Sequence, residues 1–420
     1  MASLPGVTPG PRGLRVALPA PGADRVWFCL FEHGEEVLRA PLAPRGDGLF
    51  EGLLPGLGPG ARYGFRAEGP AALGRFDPAK LLLDPWARRL EAPLRLHPSL
   101  FAAGEDSAPH LPRCVVEAPT SAPGWAPLPA RPLILYELHV RGFTMRHPEI
   151  PEAIRGTFAG LAHPAAIGHL VALGVTAVEL MPCAAWIDER HLPPLGLANH
   201  WGYNPVCPLA PDPRLAPGGM AEVRAAVQAL RAAGIAVILD VVFNHTGEGD
   251  AEGPTLNLRG LGEAHWYRLG HNQSGCGNVL ACDRPWPLRL VMDALRHWAL
   301  EAGVDGFRLD LATTLGRRDP DGRFDAMAPL FAAIRQDPVL ATRRIIAEPW
   351  DLAEHSLGAF PPGWGEWNDR FRDDIRRFWR GDRGMAGALA TRLAGSSDVL
   401  PGRPGDSINF VTAHDGFTLA

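Results

Sequence analysis

The stretch HWALEAGVDGFRLDLA (297–312) decides how the rest of the chain is read. Its first half is apolar at helical spacing, Gly303 follows where a left-handed helix cap belongs, and VDGFRLD is an apolar run of strand length. The same order of helix, glycine and strand occurs in HLVALGVTAVELMP (169–182) and VQALRAAGIAVILDVV (227–242), and without the glycine in FAAIRQDPVLATRRIIAEP (331–349). Strands apolar on both faces that alternate with helices predict a parallel sheet covered by helices. Polar residues collect where these strands end: Asp240, Asn244 and His245, then Arg308 and Asp310, then Glu348. A (β/α)8 barrel carries its active site at that end. A doubly wound sheet would too, but usually with a Gly-rich phosphate loop, and no GxGxxG or GxxxxGK[ST] follows a strand here. The expected fold class is therefore α/β, a (β/α)8 TIM-type barrel.

Upstream the texture differs. RVWFCLF (25–31), GLFE (48–51) and RYGFR (62–66) read as short strands between turn clusters such as PGLGPG (55–60), which predicts an immunoglobulin-like β-sandwich. Residues 1–120 are expected to form the sandwich and 121–420 the barrel, with Pro-rich 104–131 serving as linker and surface loop. A hydrophobic content of 46% with 21% charged residues over 420 positions suits a globular protein with a large core. The net charge of -5 gives no electrostatic basis for nucleic acid or an anionic membrane as partner. The six cysteines are scattered, without a CxxC pair, so neither a disulfide framework nor a zinc site is expected. MASLPGVTPGPRG at the N-terminus lacks an apolar signal core, and no apolar run reaches membrane-spanning length. A cytoplasmic location is the expectation.

Hydrolysis of a glycosidic bond with retention needs two carboxyl groups flanking it, one as nucleophile and one as acid and then base. Acidic residues stand at three strand ends: Asp310 after VDGFRL, Glu348 after RRIIA, and Asp415 after INFVTAH. Arg308 precedes Asp310 by one strand period, so both point the same way, and an adjacent guanidinium favours an ionised nucleophile. Glu348 follows an apolar run, and burial there would raise its pKa, as a general acid requires.

DVVFNH (240–245), GFRLDLA (306–312), AEPW (347–350) and NFVTAHD (409–415) resemble, in order, the four signature regions of glycoside hydrolase family 13, the α-amylase superfamily. YELHVRGFT (136–144), HWGYNP (200–205), GCGN (275–278), EWNDRFRDDIRRFW (366–379) and SSDV (396–399) narrow the resemblance to bacterial glycogen debranching enzymes of the isoamylase type. The resemblance implies Asp310 as nucleophile, Glu348 as acid/base and Asp415 as transition-state stabiliser. It implies His414, Asp240 and His245 as sugar ligands or supports, Arg308 as partner of the nucleophile, and Tyr203 as an aromatic platform. Asn244 matches a calcium ligand of many α-amylases. The companion ligands are not recognisable, so neither metal nor cofactor is expected. The implied substrate is an α-glucan, glycogen or a limit dextrin, cut at α-1,6 branches, with residues 1–120 resembling a carbohydrate-binding module. A branching enzyme, a trehalose-releasing hydrolase and a non-catalytic glucan-binding protein stay open as alternatives. The 12 tryptophans suit sugar stacking, though most are expected in the core.

Strand candidates near 133–140, 175–181, 235–242, 304–310, 343–348, 364–368 and 407–413 fall one short of a closed barrel. The expectation is an incomplete barrel lacking its last βα unit and a C-terminal β-domain, with two exposed sheet edges.

Overall fold

Valine, isoleucine, leucine and alanine are prominent in the strands that follow the glycine-capped helices, and seven strands pair side by side in chain order. In the computed structural model, which describes residues 5–120, 124–129 and 131–419, they are β1 (Leu135–Leu138), β2 (Ala177–Leu180), β3 (Ala236–Val241), β4 (Gly306–Leu309), β5 (Arg344–Ala347), β6 (Gly365–Asn368) and β7 (Ser407–Asn409). All their pairings are parallel, in the order β7-β6-β5-β4-β3-β2-β1. Every expected strand is therefore present, in an incomplete barrel. The glycines that follow the helices, Gly174, Gly234 and Gly303, have φ of 75°, 78° and 79°, the left-handed cap that a side chain would strain. One connection departs from the alternation: no helix lies between β5 and β6 among the described residues.

Two layers of burial result. Outward residues such as Leu239, Phe307, Leu309 and Ile345 join the helices in one large core. Inward, Ile238, Ile346 and Trp367 form a smaller cluster below the strand ends.

The N-terminal part is a two-sheet antiparallel sandwich. One sheet orders Gly6–Gly10, Gly13–Pro19, Leu49–Leu54 and Ala43–Gly46; the other orders Glu35–Pro41, Arg25–Glu32, Arg62–Glu68 and Cys114–Val115. Its core continues into Ala185, Ile187, Val206 and Leu256 of the barrel part, so the two units share apolar packing. Trp86 ties them further by donating from Nε1 to Asp293 at 3.1 Å.

The stretch expected to be a linker is built into both units. Cys114–Val115 is an edge strand on Arg62 and Tyr63, and Arg113 lies 4.1 Å over the Phe31 ring. Trp125 sits 3.5 Å beneath the Arg343 guanidinium and donates to Asp305 at 3.2 Å. Leu111, Cys114 and Val116 are buried but too sparsely spaced to show a period, which is why the sequence reads as loop. The expected boundary at 120/121 abuts residues 121–123, which lie outside the described residues. No helix among the described residues is long and apolar enough to cross a membrane.

Phe307 is fully buried on the outward face of β4, opposite Arg308. Phe307→Ala is expected to cost about 3–5 kcal/mol of stability by urea denaturation.

Candidate active site

The two-residue period of β4 puts Arg308 and Asp310 on one face, and β3 sets Asp240 in register with Arg308. Glu348 follows directly on β5. The Arg308 guanidinium is wholly buried among these acids. Its Nη1 donates to Asp240 Oδ1 and Oδ2 at 2.9 and 3.0 Å and to Asp310 Oδ1 at 2.7 Å. Its Nη2 lies 2.9 Å from Glu348 Oε1, an ion pair whose angle falls outside hydrogen-bond geometry. The ring of Trp367 lies 4.8 Å beneath the cation. One cation thus holds three carboxyl groups.

The two central acids have different surroundings. Asp310 accepts from Asn244 Nδ2 at 2.7 Å through Oδ2, and the same amide donates to the Asp310 carbonyl at 2.9 Å. Both carboxylate oxygens of Asp310 are therefore hydrogen-bonded. Burial pushes the Glu348 carboxyl up to about 8; Arg308 opposes this and the negative charge of Asp310 adds to it. Burial likewise raises Asp240 to about 6, against the pull of Arg308. Glu348 therefore keeps a proton near neutrality beside an Asp310 whose two carboxylate oxygens are both engaged by donors.

Leu311 joins these two acids. Its φ of 40° is left-handed, rare for a branched residue, and its backbone N–H donates to Glu348 Oε2 at 2.6 Å. Nothing in RLDLA signals that strained turn; it arises because the chain must leave β4 while presenting that N–H to β5.

Around this centre, Tyr203 donates its hydroxyl to Asp240 Oδ2 at 2.5 Å and stacks on His414, ring centroids 4.8 Å apart. Trp201 meets Tyr203 edge-on at 6.4 Å. His414 is held by Glu137, at 2.5 Å from its backbone N–H and 2.8 Å from Nδ1. Burial lowers the His414 pKa, but the hydrogen bond and charge of Glu137 outweigh it and raise it on balance. His245 is buried with Nε2 donating to the Tyr203 carbonyl at 2.8 Å and Nδ1 2.6 Å from Asn244 Oδ1. Burial lowers the His245 pKa, so the ring is placed to donate one proton, to the Tyr203 carbonyl, and packs behind Tyr203 and Asn244. Asp415 is the exposed member, its side chain 64% accessible, 3.6 Å from His414 Nε2. It nevertheless lines the same cavity of about 260 Å³ as Glu348, Trp350 and Trp367. The structure brings Asp240, Arg308, Asp310, Glu348, Tyr203 and His414 into direct contact, with His245 behind and Asp415 at the rim.

Sequence reading missed two acids. Glu137 and Glu179 are register partners on β1 and β2. Glu179 is fully buried, and neither carboxyl oxygen has a hydrogen-bond partner among the described residues. Burial, reinforced by the charge on Asp240, raises its pKa well above the usual range, which favours the neutral form. The available signal was an acid inside an apolar strand, in YELHV and TAVELMP.

Residues 5–87 match the carbohydrate-binding module 48 family, the isoamylase N-terminal domain. The chain is 45% identical over 434 residues to a glycogen debranching enzyme of Yersinia enterocolitica and 47% identical over 433 residues to one of Pectobacterium atrosepticum. Each alignment covers 97% of this chain and 65% of the relative. The chain is a homologue of these enzymes. It spans just under two thirds of their length. A pullulanase of Anoxybacillus sp. LM18-11, solved with maltotriose, superposes with a TM-score of 0.76 at 25% identity, covering 99% of this chain and 60% of that one. A pullulanase of Paenibacillus barengoltzii shares the fold at a TM-score of 0.77 and 22% identity, covering 100% of this chain and 68% of that one.

Two outcomes follow from the charge arrangement. Arg308→Ala leaves buried carboxylates without their cation and should cost about 3–5 kcal/mol by chemical denaturation at neutral pH. Because the folded-state pKa of Glu348 lies above its ordinary value of 4.5, its contribution to stability is full below that value and is lost as pH rises through about 8. Glu348→Gln should remove that component, giving a flatter dependence of melting temperature on pH across the same window.

Proposed function

We propose that the chain hydrolyses α-1,6-glucosidic branch linkages in glycogen or limit dextrins, with retention, by double displacement. The observation that carries this is the Asp310–Arg308–Glu348 cluster, in which one acid is hydrogen-bonded as a carboxylate and the other is kept protonated by burial. Its setting supports the choice of bond: the relatives are named glycogen debranching enzymes.

In the first step a carboxylate oxygen of Asp310 attacks the anomeric carbon at the branch point. Glu348 gives its proton to the departing O6, whose bond to that carbon breaks. The α-glucan main chain leaves, and the branch remains as an ester on Asp310. In the second step Glu348, now ionised, takes a proton from water, the water oxygen bonds to the anomeric carbon, and Asp310 departs. Leu311 N–H and Arg308 orient the Glu348 carboxyl through both steps. Arg308 and Asn244 keep Asp310 oriented through both displacements. Asp415, at the cavity rim, grips sugar hydroxyls as positive charge develops on the ring. His414 and Tyr203, stacked and anchored by Glu137 and Asp240, form the wall against which that sugar packs. Asp240 and His245 act behind this wall. Residues 1–120 serve as a glucan-binding module and 121–420 as the catalytic unit. A cytoplasmic setting suits the six cysteines, all free thiols.

The test is product analysis on a branched limit dextrin. Linear oligosaccharides should accumulate, released first as the α-anomer by NMR. Asp310→Asn should lower turnover roughly 10⁴-fold or more. The rate should fall as pH rises through about 8, where Glu348 loses its proton. Glucan binding without turnover, or transfer that creates new branches, would overturn the proposal.

A further inference from the structure

The geometry points to a second α-glucan site, in the cleft between the sandwich and the barrel around Trp286. It rests on the proposed function for the identity of the glucan and not for any catalytic step. The cleft holds about 840 Å³ and is lined from the sandwich by Pro21, Gly22, Asp47 and Gly48, and from the barrel by His265, Arg284, Trp286 and Arg289. The catalytic acids lie on none of these walls.

Three observations fit it to a sugar chain. First, Trp286 is half-buried and stands between Pro285 and Pro287 at the first turn of helix Pro285–His297, so its backbone is fixed. Its indole Nε1 donates to the Asp47 carbonyl at 2.9 Å, which fixes the ring edge as well. A rigid aromatic surface binds sugar C–H faces at little entropic cost. Second, the polar groups divide into anchored and free. Arg284 is held by Asp319 and the Ala264 and Tyr267 carbonyls, and Arg289 by Asp293 at 2.7 Å. The Asp47 carboxylate and the His265 ring are exposed and have no protein hydrogen bond among the described residues, leaving an acceptor and a donor for hydroxyls. Third, the sandwich wall lies within residues 5–87, which match a carbohydrate-binding module. A neutral, hydroxyl-rich polymer answers this mixture of one indole and few free polar groups better than an anion would, since both arginines are already paired.

The placement gives the site a use. The helix connects parallel strands β3 and β4 and so runs against them. Its N-terminus therefore lies at the sheet end where Asp240 and Asp310 are found. A glucan held at Trp286 would stay on the catalytic end of the molecule, raising the local concentration of branches.

The test uses the inactive Asp310→Asn chain, so that polysaccharide is not trimmed, with retardation in glycogen-containing native gels and titration with linear maltoheptaose. Trp286→Ala in that background should weaken retardation about tenfold and remove one class of maltoheptaose site. His265→Ala leaves the Trp286–Asp47 bond intact but removes one free polar group, and should weaken binding by a smaller factor. If both variants keep the parent melting temperature and the parent affinity for both probes, the site is overturned. Should the parent chain show no hydrolysis at all, the proposed activity fails while this comparison stands, because its host is inactive by design.

Discussion

A single buried guanidinium organises this molecule's chemistry. Arg308 is fully inaccessible, yet it meets Asp240, Asp310 and Glu348 at hydrogen-bond or ion-pair distance and rests on the Trp367 ring. Burying one cation among three carboxyl groups leaves negative charge in excess. Burial outweighs the pull of Arg308 at Asp240 and Glu348, and raises both carboxyl groups above their ordinary range. Asp310 accepts hydrogen bonds from Asn244 and Arg308, whereas Glu348 has one backbone N–H and a poorly angled cation. The two acids thus sit in unlike surroundings although they share one cation.

The scaffold supplies the geometry cheaply. In parallel strands neighbours are locked in register, so Asp240 and Arg308 lie at one level without any loop to place them. The strained turn at Leu311 is tolerated because β4 and β5 fix both of its ends. The outer wall depends on loops instead. Tyr203 comes from a segment bounded by the antiparallel pair Ala184–Trp186 and Pro205–Pro211, and His414 from the segment after β7. These loops are tied to the sheet by Asp240 and Glu137. The two sheet edges, β1 and β7, are not paired with each other; Glu137 and His414 bridge between them.

The central strands were legible in the sequence because β2, β3 and β4 follow glycine-capped helices and β5 is an apolar run, a signal that depends only on local chemistry. Most of the site was legible too, because acids at strand ends stand out against such runs. Less visible was anything that depends on packing between distant segments. The Pro-rich stretch near residue 114 reads as a linker, yet its few apolar residues close the sandwich core. That His245 is buried against the Tyr203 carbonyl is likewise invisible in DVVFNH.

What the sequence determined by itself is the alternation of helix and strand, the face shared by Arg308 and Asp310, and the presence of acids where strands end. Each follows from spacing along one segment. Only the tertiary structure decided that Glu348 keeps a proton, that Glu179 favours its neutral form, that Leu311 turns against its preference, and that Trp286 faces the sandwich across a cleft. The physical reason is common to all four. Electrostatic energy, backbone strain and surface complementarity depend on distances between residues far apart in the chain, and no local pattern encodes those distances.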